Sequence, residues 1–138
     1  RHTRYIGDWS PDVCSSDLLD LLDALDQRDV PWTIVTSCTA PLAAMRTRVA
    51  GIPHRDTIVT FSDVAQGKPH PEPFLLGATR IGVAPGDCWV VEDAHSGSTA
   101  GNAAGCMVAA VLTTHTREQL PHADHYLDHL GDLLALLP

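Results

Sequence analysis

The chemistry of this sequence is concentrated in a lone lysine and an acidic pair. Lys68, the only lysine, lies in the proline-rich segment Gly67–Pro73, and an apolar run further on ends in Glu92 and Asp93. An ammonium group suits phosphoryl oxygens and neighbouring carboxylates. The prolines around it restrict the backbone, so the charge is held at a lower entropic cost. Adjacent carboxylates need a cation, and Mg²⁺ is often held by one or two carboxylates with phosphate and water. The pattern therefore predicts a phosphate-and-metal site.

The two carboxylates have different predicted roles. Side chains alternate along a strand, so we expect only one of them to face a metal directly. We assign Asp93 as the Mg²⁺ ligand and place Glu92 behind it. The alternative is that both acids only complement the dipole of the helix that follows.

Two hydroxyl residues, Thr36 and Ser37, end another apolar run that begins at Trp32. A hydroxyl at a strand end can donate to a phosphate oxygen beside the backbone N–H groups of a helix start. The alternative is that these residues only cap the next helix. Asp63 also has two interpretations, as a partner of Lys68 or as a cap of its own turn, and we favour the cap.

The elements that position these residues alternate between strand and helix. Nearly continuous apolar runs predict buried strands of a parallel sheet covered by helices on both faces. The predicted helices cover residues 18–29, 41–50, 72–81, 96–104 and 130–137, and the predicted strands cover 32–36, 57–61, 88–92, 107–112 and 126–127. Each candidate residue follows a strand, and sites of open α/β sheets lie at the carboxyl ends of strands. We therefore expect the candidates to converge.

The bulk composition limits the classes of partner. The chain has 138 residues, enough for one domain, and a formal charge of −8 with few, scattered basic residues. This charge argues against nucleic-acid binding and against a polybasic membrane surface. No apolar run approaches the roughly 20 residues that span a bilayer. The four cysteines lack the spacing of a zinc site or disulfide framework, so we expect reduced, mostly buried thiols and a cytoplasmic protein.

The sequence pattern of residues 1–17 differs from that of the rest of the chain. The stretch from Gly7 to Leu18 resembles a translated sequencing adapter, so we expect residues 1–17 to be a non-native segment and residues 18–138 to be the domain. A natural N-terminus is the alternative. On either interpretation we give Asp8, Asp12 and Asp17 no catalytic role.

Together these motifs resemble the haloacid dehalogenase superfamily, in its sugar-phosphate phosphatase and β-phosphoglucomutase-like branch. Residues 32–37 are similar to the family's second motif, residues 67–73 to its third, and residues 90–97 with Gly105 to its fourth. The resemblance implies a Rossmann-like three-layer core. The family's first motif, Asp-x-Asp on the central strand, and its helical cap are not found. We therefore expect an N-terminally truncated, C-terminal part of the core domain that lacks the first, central strand.

For the intact protein the resemblance implies Mg²⁺-dependent hydrolysis of a small phosphorylated metabolite, such as a sugar phosphate, by a monomer. Lys68 and Thr36 would have catalytic roles, Thr36, Ser37 and Lys68 would bind phosphate, and Asp93 and Glu92 would form the metal site. The missing aspartate would form an aspartyl-phosphate, so this fragment should be inactive. The alternatives are a phosphomutase of the same fold and a non-catalytic phosphate-binding or regulatory domain.

Overall fold

The computed structural model describes residues 3–6, 16–113 and 115–137. The order of elements is close to that predicted from the sequence, and α3 and β3 have the predicted bounds. The strands are β1 (Thr3–Ile6), β2 (Trp32–Ile34), β3 (Cys88–Glu92), β4 (Met107–Val111) and β5 (His125–Leu127). The helices are α1 (Ser16–Gln27), α2 (Ala40–Val49), α3 (Glu72–Ile81) and α4 (His95–Ala103). Short 3₁₀ turns cover Phe61–Asp63, Pro85–Asp87, Arg117–Gln119 and Leu130–Leu136.

The strands form one parallel sheet with the order β2-β1-β3-β4-β5. The predicted α/β class, a parallel sheet with helices on both faces, is therefore confirmed. Parallel strands need crossover connections, and the helices between them supply these crossovers and cover the sheet. The carboxyl ends of the strands consequently lie at one edge.

The prediction that the central strand is absent was wrong. Strand β1 lies between β2 and β3 and is parallel to both, with Ile6 in register with Ile34 and Val91. Without it, β2 and β3 would each present unpaired backbone N–H and C=O groups to the gap. A segment of four residues is too short to show periodicity. The backbone N–H and C=O groups of β2 and β3 on its two sides determine where it lies in the sheet. Both edges that the loss of a central strand would expose are therefore paired with β1.

This correction concerns only residues 3–6. Asp8, Asp12 and Cys14 lie outside the described residues, and Asp17 lies in the first turn of α1. Whether residues 1–17 are native to the gene stays a prediction.

Two apolar clusters cover the two faces of the sheet. The first joins leucines of α1 and of the turn Leu130–Leu136 to Trp89 and Val91 of β3. The second joins α3 and α4 to Cys88 and Val90 of the same strand. Because side chains alternate along β3, Glu92 lies on the same face of the sheet as Cys88 and Val90.

Two predicted elements take other forms. In place of a strand at 57–61 there is a single parallel bridge between Val59 and Val35, followed by the turn Phe61–Asp63. The Asp63 carboxylate accepts the N–H of Thr60 there, so the chain turns immediately. The predicted closing helix is the 3₁₀ turn Leu130–Leu136. None of the helices described is both long enough and apolar enough for a transmembrane span.

Candidate functional site

A buried ion pair joins the lysine loop to the end of β3. Lys68 Nζ lies 2.7 Å from Glu92 Oε1, and the two side chains are 3% and 1% exposed. Lys68 Nζ also donates to the carbonyl oxygen of Val35 at 2.9 Å. Because both charges are buried, each depends on the other for compensation. The contact links three places in the chain that the sequence predicted to meet.

Helix α4 packs tightly against the Glu92 side. A Cβ atom placed on Gly97 would overlap the Glu92 carboxylate, and one placed on Gly101 would lie 2.9 Å from Val108 Cγ2. Small residues at these positions therefore let α4 approach the sheet closely, with its first residue, His95, near the end of β3. The Glu92 carboxylate consequently lies between the ammonium of Lys68 and the first turns of α4.

Thr36 and Ser37 have different surroundings. Thr36 is buried, its N–H donates to the Val59 carbonyl at 2.9 Å, and its Oγ1 accepts the N–H of Cys38 at 3.1 Å. Ser37 is exposed in the bend that follows. Neither residue caps α2, whose N-cap position is Thr39. The capping alternative for these hydroxyls is therefore wrong for this helix.

Asp93 lies directly after β3 and is 8% exposed. It is one residue beyond Glu92, at the edge where Thr36 and Lys68 lie. Within residues 3–6, 16–113 and 115–137, no group of three or more His, Cys, Asp and Glu side chains is arranged to hold a metal ion. The predicted Mg²⁺ site thus rests on the two carboxylates alone.

Several neighbouring residues have structural contacts that the sequence left open. The Asp63 carboxylate accepts the backbone and hydroxyl groups of Thr60, at 2.8 and 3.0 Å, and lies 3.5 Å from Arg80. The backbone hydrogen bond from Thr60 is the main reason why the pKa of Asp63 is lowered. Asp63 therefore caps its own turn, as favoured from the sequence. Cys38, Cys88 and Cys106 are buried, as expected.

Sequence reasoning missed three contributors to this site. These are the Val35 carbonyl, the close approach at Gly97, and Glu72, whose carboxylate accepts the N–H groups of Ala65 and Gln66. A backbone acceptor leaves no signal in residue types. Glu72 follows Lys68 by four residues at the start of a predicted helix, and that position is the one signal that pointed to it.

Comparison with known proteins places this geometry in a family. The model of the haloacid dehalogenase-like hydrolases matches residues 2–105. Hexitol phosphatase A of Escherichia coli (strain K12) is 44% identical over 113 residues, which cover 82% of this chain and 52% of that protein. The chain therefore spans about half the length of this relative.

Solved structures agree in fold. A haloacid dehalogenase family hydrolase from Deinococcus radiodurans R1, with bound phosphate and sodium, has a TM-score of 0.82 at 28% identity, over 88% of this chain and 58% of that one. A β-phosphoglucomutase from Clostridium difficile has a TM-score of 0.71 at 25% identity, over 85% and 51%. With its matched segment covering most of the sequence, this chain belongs to the haloacid dehalogenase-like hydrolases.

Proposed function

We propose that this chain is a core portion of a Mg²⁺-dependent phosphatase that hydrolyses small sugar phosphates. The observation that carries the proposal is the buried contact between Lys68 and Glu92 at the carboxyl edge of the sheet, beside the Val35–Thr36 backbone. A buried ammonium held at such an edge offers a fixed positive charge to a phosphoryl group. The phosphatase name of the Escherichia coli relative supports the reaction class.

The residues have distinct proposed roles. Lys68 neutralises a phosphoryl oxygen while Glu92 fixes the direction of its ammonium. Thr36 and Ser37 orient the phosphoryl group through the hydroxyl and backbone N–H groups of their turn. Because these donors are already placed, binding a phosphate requires little reorganisation of the protein.

The donor set at the end of β3 fits Mg²⁺. Carboxylate oxygens are hard ligands, and Mg²⁺ usually takes only one or two of them together with phosphate and water. Glu92 is already engaged by Lys68, so we assign Asp93 as the direct ligand and Glu92 as its neighbour. When bound, Mg²⁺ would supply further neutralisation of phosphoryl charge.

We further propose that this chain binds phosphate without appreciable turnover. In this family interpretation an aspartate attacks phosphorus and forms an aspartyl-phosphate, and we assign no such nucleophile among the described residues. A phosphomutase is the second candidate, supported by the structural similarity to the β-phosphoglucomutase. A phosphate-binding domain without catalysis would show the same binding.

Two measurements on the whole chain test the proposal. Isothermal titration with inorganic phosphate, with and without Mg²⁺, should show binding that Mg²⁺ strengthens and that Lys68→Met abolishes. A malachite-green assay with hexose and hexitol phosphates should show negligible phosphate release. No phosphate binding in the folded wild type would contradict the site, and robust turnover abolished by Asp93→Asn would contradict the inactivity. A cytoplasmic location and a monomeric intact protein belong to the same proposal.

A further inference from the structure

Glu72 closes the base of the loop that carries Lys68. Its Oε1 accepts the N–H of Ala65 at 2.9 Å and its Oε2 accepts the N–H of Gln66 at 2.8 Å. The N–H of Glu72 donates to Nδ1 of His70 at 3.1 Å. The two amide donors, that of Ala65 first, hold the pKa of the Glu72 carboxyl below its ordinary value. Both ends of a short loop are thus fixed to one side chain.

Lys68 lies within this closed loop and reaches inward. Its Nζ lies 4.9 Å from the ring centroid of Phe74, which is fully buried in α3 two residues beyond Glu72. A lysine has a flexible four-carbon stem, so the direction of its charge depends on where the backbone holds its Cα. Because the loop is anchored at Ala65, Gln66 and Glu72, the Cα of Lys68 has little freedom to move.

We propose that Glu72 is a positioning residue that holds Lys68 in the direction required to meet Glu92 and a phosphoryl group. The inference rests on the proposed function for the phosphate and on the hydrogen bonds above for the positioning. Its competitor is that Glu72 only complements the dipole of α3 as a first-turn acid. Glu72→Asp separates the two, because an aspartate keeps the first-turn charge but is one methylene too short to reach both amides.

The single lysine gives a direct readout of this role. Acylation of primary amines by an N-hydroxysuccinimide ester, followed by mass spectrometry, reports Lys68 individually, with the α-amine of the chain as internal reference. In the wild type the side chain is 3% exposed, so acylation should be slow. Both Glu72→Asp and Glu72→Ala should accelerate it and weaken inorganic phosphate binding about tenfold, since small misplacements of a positioned group are costly.

Glu118→Ala is the matched control. Glu118 is also an exposed acid of a first turn with a lowered pKa, caused by its own backbone N–H and the Thr116 hydroxyl, but it lies in the turn Arg117–Gln119 and not in the loop that carries Lys68. It carries the same charge change as Glu72→Ala. Lys68 acylation and phosphate binding should stay at wild-type values.

Amide hydrogen exchange provides a second measurement that a general loss of stability would not imitate. In Glu72→Asp, the amides of Ala65 and Gln66 should lose protection while those of β3 and α4 keep theirs. Unchanged Lys68 acylation in both Glu72 variants would overturn the inference, and so would wild-type acylation in Glu72→Asp alone, because that result favours the dipole. If folded wild type fails to bind phosphate, the proposed function fails, and acylation still decides whether Glu72 positions Lys68.

Discussion

The two faces of the sheet are packed in different ways, and only one of them carries the site. On one face, four leucines of α1 and two of the closing 3₁₀ turn fill the space over Trp89 and Val91 with large side chains. On the other face, α4 contributes alanine and glycine and approaches β3 closely. The first arrangement maximises apolar burial, whereas the second brings a helix start and a lysine loop to the Glu92 carboxylate.

The difference teaches that a charged site needs a close backbone as well as a core. Large side chains on α4 would hold the helix away from the sheet and leave room for water around Glu92. The small residues remove that space, and a buried charge then requires its partner. The α1 face should therefore control stability alone, whereas the α4 face should control both stability and the state of Lys68.

The largest expected effect comes from Glu92→Gln. It removes the negative partner and leaves the Lys68 ammonium buried beside a neutral amide and the Val35 carbonyl. Breaking a buried ion pair from one side costs about 3–5 kcal/mol. Urea unfolding should show that loss, Lys68 acylation should accelerate, and phosphate binding should weaken.

Leu25→Ala is the comparison on the other face. Leu25 is fully buried in α1, and a leucine truncation costs about 2–5 kcal/mol. Its stability loss should be similar, but Lys68 acylation in the folded state should not change. Equal acceleration in both variants would show that the two faces do not differ in the way described.

The sequence predicted the edge where the site lies but not the contacts within it. Strand β3 has a local signal in the apolar run Cys88–Glu92, and α3 has one in Gly82, which ends the helix in a left-handed conformation. Both elements were therefore predicted with the observed bounds. Lys68 and Glu92 were both expected at the carboxyl edge: Glu92 ends β3, and Lys68 follows the run 57–61, which joins the sheet only through the bridge between Val59 and Val35. That the ammonium contacts Glu92 and the Val35 carbonyl depends on packing between distant segments.

Strand β1 is an element that the sequence did not predict. Its four residues carry no pattern that separates a strand from a loop, and the paired edges of β2 and β3 give the segment its structure. The strand predicted at 57–61, in contrast, does not form. Its residue types favour a strand, but Asp63 accepts the N–H and hydroxyl of Thr60 and turns the chain after one bridge.

The next-largest expected effect comes from Gly97, where α4 closely approaches the Glu92 carboxylate. Gly97→Ala would place a methyl group on the Glu92 carboxylate, so either the side chain or the helix must move. Overpacking of this kind costs about 1–3 kcal/mol, partly offset by the higher helix propensity of alanine. We expect lower stability in urea unfolding and faster acylation of Lys68.

Gly101→Ala is the matched control on the same helix. Its new methyl group would meet Val108 Cγ2 at 2.9 Å and Val90 Cγ1 at 3.0 Å, not the carboxylate. Stability should fall by a similar amount while Lys68 acylation stays slow. A Gly97→Ala protein with wild-type acylation would show that Glu92 holds Lys68 without help from α4.

The smallest effect tests whether a charge outside the buried pair acts only on stability. Asp63 accepts two hydrogen bonds from Thr60, and its pKa is lowered chiefly by the backbone one. A lowered pKa in the folded state means that the stabilisation is complete above the ordinary aspartate value and is lost as the pH falls through the lowered one. Asp63→Asn should therefore cost about 1 kcal/mol at pH 7, with the difference shrinking below about pH 4. Asp56→Asn is the control. The Asp56 side chain is fully exposed, so this substitution should change stability little at either pH. Since the contacts of Asp63 are with Thr60 and Arg80, acylation of Lys68 should stay at the wild-type rate. A faster rate in Asp63→Asn would extend the site beyond the α4 face, to the turn that follows Val59.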